Sequence, residues 1–169
     1  MVNKNDNWLK MKWNKERAKE WLDRSHNSSL EYMKFICLYI GLEILTKGKL
    51  LRRNDLINDI KTSIQKQILD CCESQLLYFQ ENEIKNEYDG PKVMLKDSKH
   101  QMGILKNVKS SYAEKLIAML DICYIIRGNI VHGHKSFNST DGRKSAENAG
   151  VFLNYFLHFI LRYNDSVKG

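Results

Sequence analysis

Apolar residues recur along this chain at helical rather than alternating spacing. Between residues 54 and 80, Leu56, Ile57, Ile60, Ile64, Ile68, Cys71, Cys72, Leu76 and Leu77 return every three or four positions, separated by Asp, Lys and Gln. The spacing predicts a long amphipathic helix, with a break expected at Thr62 and Ser63. Ahead of it, residues 28–47 are apolar nearly all round, through Met33, Phe35, Ile36, Cys37, Leu38, Ile40, Leu42, Ile44 and Leu45. A helix of that kind belongs at the centre of a bundle or beneath a dimer partner. Ser28 with Glu31 reads as its capping box, and Gly48 after Lys47 as its stop. Ser111 with Glu114 repeats the box before a further helix rich in alanine, leucine and isoleucine. A last helix over residues 145–163 gathers Ala149, Phe152, Leu153, Phe156, Phe159 and Ile160 on one side. The first helix, residues 6–24, mixes Leu9, Trp13 and Trp21 with basic residues from Lys10 onward and reads as peripheral. Residues 82–109 keep no period and hold the only proline, so they read as an irregular excursion with at most one short helix. Together these elements predict an all-α, four- to five-helix bundle, a single domain over 1–169 with an N-terminal helix within 1–27.

Composition narrows the class. One proline and nine glycines are too few for the frequent turns of a β-sandwich or barrel. No run approaches the roughly 18 apolar residues of a membrane span. The opening "MVNKNDNWLK" has no apolar signal core. The expectation is a cytoplasmic chain without membrane partners. Cys37, Cys71, Cys72 and Cys123 form no C-x-x-C pair, and with the five histidines they match no zinc-ligand spacing. Free thiols, no metal and no cofactor are expected. A net charge of +7 favours polyanionic partners, of which nucleic acid is the commonest in the cytoplasm.

The candidate chemistry lies in "YIIRGNIVHGHKSF". Arg127 and His132 sit in an apolar helical stretch, where a charged or titratable group is costly unless paired, solvated or used. Five residues of helix turn about 140° and rise about 7.5 Å, so the two side chains flank a sector instead of stacking. Gly128 and Val131 form the floor of that sector, Tyr124 lies one turn upstream, and Asp121 falls near it another turn back. Gly128 costs about 1 kcal/mol of helix propensity relative to alanine, leaving room for a substrate group or a close helix crossing. A permanent cation beside an imidazole suits phosphoryl chemistry: Arg127 to stabilise charge on a phosphate, His132 to move protons. RNA brings its own nucleophile in the ribose 2′-hydroxyl. One Arg and one His are too few for deprotonation, leaving-group protonation and charge stabilisation, and two copies about a two-fold axis would suffice. The plainer alternative is a helix-end arginine and a satisfied histidine. For Glu43, alone in its apolar helix, the plainer alternative is a carboxylate facing water between Tyr39 and Lys47.

With Arg127, Asn129, His132, Gly133 and Lys135 in this order, "IIRGNIVHGHKSF" resembles the signature of HEPN domains, an all-α family of nucleotide-binding and ribonuclease modules. "FICLYIGLEILTKG" is similar to the family's early helix, with Glu43 as its polar residue. The resemblance spans most of residues 28–165 and is specific only over residues 127–135. Asn129 stands second after Arg127, where many members carry the polar residue first. The resemblance implies a HEPN-like, homodimeric, metal-independent endoribonuclease leaving a 2′,3′-cyclic phosphate. It implies service in toxin–antitoxin, abortive-infection or CRISPR-linked defence, with an antitoxin or defence protein as partner. By the same resemblance Arg127 holds the phosphate and His132 transfers the proton. Glu43 and Asn129 orient them, and Lys135 and His134 lie near the RNA backbone. Two other readings stand beside it: a catalytically inactive HEPN dimerisation or nucleotide-binding accessory, and a basic helical nucleic-acid-binding regulator.

Overall fold

A computed structural model describes the backbone of residues 4–47, 52–86, 95–132 and 140–163. All regular structure among them is helical. The order is α1 (Lys4–His26), α2 (Glu31–Thr46), α3 (Arg52–Asn58), α4 (Thr62–Cys71), α5 (Glu73–Glu81), α6 (Lys99–Lys106), α7 (Tyr112–Val131) and α8 (Thr140–Tyr163). No helix among the described residues is long and apolar enough to cross a membrane.

Among the described residues eight helices stand where four or five were expected, because the long third helix is three. The chain leaves α3 at Asp59, just ahead of the expected break. The buried Gln65 amide donates to the carbonyls of Ile57 (3.0 Å) and Ile60 (2.9 Å), bracing the turn that ends α3. A second interruption falls at Cys72, where φ −111° and ψ 22° leave the helical region. The excursion contributes the eighth element, α6.

The two capping boxes behave differently. At Ser111 the box is complete: the Glu114 N–H donates to Ser111 Oγ (3.2 Å), and the Ser111 N–H donates to Glu114 Oε2 (2.7 Å). The Ser111 N–H, and next the Ser111 hydroxyl, both donating to Oε2, hold the Glu114 carboxyl below its ordinary range. The box expected at Ser28 does not form. α2 starts at Glu31 with Leu30 as its uncapped N-cap, and the Glu31 carboxylate is taken by Lys34 at 2.7 Å. At the other end Lys47 itself turns left-handed (φ 55°, ψ 39°), while Gly48 lies outside the described residues. α8 begins five residues earlier than expected, with Asp141 in its first turn, where a carboxylate favours the helix dipole. Of the apolar residues expected to turn α1 inward, Trp21 is half-buried, and the side chains of Leu9 and Trp13 lie outside the described residues.

The core gathers around α7, whose Leu116, Met119, Leu120, Ile122, Cys123 and Ile125 are fully buried. α3, α4 and α6 pack on it, and α2 packs on α1 and α8. The tightest crossing is at Gly41, where an added Cβ would lie 3.3 Å from both the Ala18 carbonyl oxygen and Leu157 Cδ1. Ahead of α6, residues 84–86 and 95–98 form a short antiparallel ribbon. Lys85 bridges Asp97, the Asn86 N–H donates to the Lys96 carbonyl and the Ser98 N–H to the Ile84 carbonyl, each at 2.9 Å. Ile84 and Ser98 are buried, so the ribbon is seated on the core.

Candidate functional site

α7 delivers Arg127 and His132 to the molecular surface. Its apolar body ends at Val131, and His132 follows as an exposed C-cap whose N–H still donates to the Gly128 carbonyl at 3.1 Å. Arg127 is half-buried. Its Nη2 lies 3.5 Å from Glu43 Oε1 on α2, and its Cζ lies 5.9 Å from the centre of the Tyr39 ring, one turn before Glu43. Glu43 is therefore not simply a carboxylate facing water. An ion pair with both side chains about a third exposed is worth under about 1 kcal/mol, so the contact orients Arg127 more than it stabilises the fold. Burial, and next the Glu43 charge, push the Tyr39 phenol well above its ordinary range, keeping it a neutral hydroxyl against the guanidinium.

Asn129 takes no part in that pair. Its side chain is buried, and its Nδ2 donates to the Lys85 carbonyl at 2.8 Å, tying the ribbon to the last turn of α7. Gly128 faces the same ribbon: an added Cβ would meet only Asn86 Oδ1, at 3.9 Å. Among the described residues of the one chain, no helix crosses closely there. Gly128→Ala is expected to stabilise the fold by up to about 1 kcal/mol through helix propensity, read as a shift in a urea unfolding midpoint.

Tyr124 meets Glu43 in a small cleft of about 50 Å³, lined also by Tyr39, Leu42, Thr46, Arg53 and Leu120. A second arginine–carboxylate pair closes its side: Arg53 Nη2 lies 2.6 Å from Asp121 Oδ1, with the side chains 14% and 10% exposed. Gln101 Nε2 donates to the other carboxylate oxygen at 3.2 Å. Burial pushes the Asp121 carboxyl up, opposed first by the Arg53 charge and then by the Gln101 bond. Asp121, placed by helical phase near the Arg127 sector, thus belongs to Arg53 and fastens α3 to α7.

Sequence reasoning named Glu43, Tyr124, Arg127, Asn129 and His132 but missed Tyr39, Arg53 and Asn86. Tyr39 carried a usable signal in its position four residues before Glu43. Arg53 and Asn86 lie outside both motif segments and carried none. Gly133, His134 and Lys135 lie outside the described residues. Among the described residues no three His, Cys, Asp or Glu side chains gather where they could hold a metal ion. Cys37, Cys72 and Cys123 are buried and Cys71 is exposed. Burial pushes the Cys72 thiol up to about 12 and the Cys123 thiol well above its ordinary range, which leaves both poor nucleophiles.

The end of α7 therefore offers an oriented cation and an imidazole, with a carboxylate and a phenol behind the cation. It can bind a phosphate-sized anion and move a proton beside it. No family model, curated protein or solved structure matches this chain, so its function is read from the site alone.

Proposed function

We propose that this chain is a HEPN-like, metal-independent endoribonuclease acting as a homodimer in a prokaryotic defence or toxin–antitoxin setting. The observation that carries the reading is the convergence of Glu43 with Arg127, 3.5 Å apart at the end of α7 that carries His132. The early helix and the motif helix thus supply one constellation. The loose pair holds the guanidinium in place while leaving its remaining N–H donors for a phosphate.

In the reaction, neutral His132 accepts the proton of a ribose 2′-hydroxyl. The 2′-oxygen attacks phosphorus as the bond to the 5′-oxygen breaks, and the partner subunit's His132, protonated, gives its proton to that leaving oxygen. Arg127 stabilises the charge on the non-bridging oxygens. The products are a 2′,3′-cyclic phosphate and a free 5′-hydroxyl, and the two protons balance. The test is incubation of the purified chain with RNA in EDTA. Cleavage with cyclic-phosphate ends, by a protein whose light-scattering mass is that of a dimer, supports the reading. Intact RNA, or cleavage by a monomer with undiminished activity, counts against it.

A second reading, a catalytically inactive HEPN-like dimerisation or nucleotide-binding accessory, draws on one observation. The motif asparagine is committed to the Lys85 carbonyl rather than to Arg127. RNA binding without cleavage distinguishes it.

A further inference from the structure

The described lysines of the 82–109 stretch fall near both ends of α7. Lys106 and Lys109 lead into the N-cap Ser111, and from there to Arg127 the helix rises about 24 Å. Lys85 and Lys96 sit on the ribbon that Asn129 fastens to the other end, beside Gly128. One residue past the Lys85–Asp97 bridge, Asn86 stands opposite Lys96, its N–H bonded to the Lys96 carbonyl. Directly opposed residues of an antiparallel pair share a face. Lys96 therefore leaves the ribbon from the face that Asn86 turns towards Gly128, and Lys85, the residue before Asn86, leaves from the opposite face. Lys85 and Lys96 are both exposed, and neither has a carboxylate partner among the described residues. Lys99, which opens α6 just after the ribbon, is engaged at 3.9 Å by Glu83.

We infer that the ribbon is a wall of the RNA-binding site. Lys96 contacts a backbone phosphate beside the bond that is cut, Lys85 contacts a phosphate further along the strand, and Asn129 is the positioning residue that holds this wall against α7. The inference rests on the ribonuclease reading for its substrate and extends it. It gives the asparagine of the motif a task, which is to seat the strand that carries the lysines. Two backbone bonds and the Asn86 Nδ2 donation to the Leu95 carbonyl (2.8 Å) keep the ribbon in register, and with Ile84 and Ser98 seated on the core, losing the Asn129 bond loosens the side of the ribbon that meets α7.

The test compares three variants with the unaltered chain. Lys85→Gln with Lys96→Gln removes the two charges near the site. Lys106→Gln with Lys109→Gln removes two at the far end. Asn129→Asp keeps the shape but replaces the donor to the Lys85 carbonyl with an acceptor. Affinity for a fluorescent oligoribonucleotide is measured by anisotropy across salt concentrations. The ribbon pair is expected to lose about tenfold or more, with the slope of log Kd against log salt smaller by about 1.4, the value for two phosphate contacts on a single strand. The far pair is expected to stay within about twofold. Asn129→Asp is expected to raise KM about tenfold with kcat within about twofold, and to speed hydrogen exchange at the Asn86 and Ser98 amides.

Cleavage with a KM indifferent to the ribbon pair overturns the inference and leaves the ribonuclease reading standing. Binding that depends on the ribbon pair without any cleavage does the reverse. A fall in kcat at unchanged KM in Asn129→Asp places that residue in the chemistry and overturns its positioning role. Unchanged amide exchange overturns the fastening.

Discussion

Alanine at either Arg127 or His132 is expected to slow RNA cleavage by roughly 10²- to 10⁴-fold, the range for loss of one charge-stabilising donor or one general acid–base. Neither change should disturb the fold. Arg127 is a third exposed and His132 lies beyond the last turn of α7, so the helical circular-dichroism signal and the unfolding midpoint should move little. The two losses should differ in kind. Arg127→Ala removes a group that meets the phosphate before and during the reaction, so KM and kcat both suffer. His132→Ala removes proton transfer and falls mainly on kcat. Because the proposed centre uses His132 of both subunits, a mixed dimer of the two variants holds one histidine too few, and mixing the two inactive proteins should restore no activity. Two variants that cleave at the normal rate remove the site from consideration.

The largest expected effect on stability lies at Arg53. Arg53→Ala leaves the Asp121 carboxylate buried with one amide donor, and breaking a buried pair in this way costs about 3 kcal/mol or more. For a chain of this size that lowers Tm by about 10 °C. The loss carries a pH signature. The Asp121 carboxyl is raised in the folded protein chiefly by burial, and Arg53 is the main influence holding it down. Without Arg53 it rises further. A carboxyl with a folded pKa above its unfolded value favours folding below the unfolded pKa, and that benefit is lost as pH rises through the folded pKa. The variant should therefore lag the parent most at neutral pH and recover part of the gap on acidification, as the buried group takes up a proton. Adding Asp121→Asn should flatten this dependence. A deficit that is the same at every pH would mean that Arg53 acts through packing alone.

Helical periodicity announced the all-α architecture because burial on one side of a helix writes itself into residue spacing. The interruptions were harder to read. Gln65 looks like a surface residue in a helical pattern, yet it is buried and closes the end of α3 through two carbonyls. The paired boxes make the same point within one chain. Ser28 with Glu31 and Ser111 with Glu114 have identical spacing, but Lys34 competes for the first glutamate and nothing competes for the second. At the site, Glu43 and Arg127 stood out as charges in apolar helices, a local property that needs no knowledge of the fold. The partner of Asn129 is a main-chain carbonyl distant in sequence, which has no side-chain signature. The same holds for the partnership of Asp121 with Arg53, since helical phase indicates where a side chain points along its own helix and nothing about what lies opposite.

Gly41 and Glu43 share α2, two residues apart, one at the three-helix crossing and the other in the pair with Arg127. Any side chain at position 41 must push against a main-chain oxygen of α1 and a leucine of α8, and the relief available is a displacement of α2 as a rigid rod. That displacement shifts Glu43 relative to Arg127. The spacing between helices is thus a setting for the site, and a lineage that enlarged residue 41 could lose the alignment of its guanidinium while every residue of the constellation stayed in place.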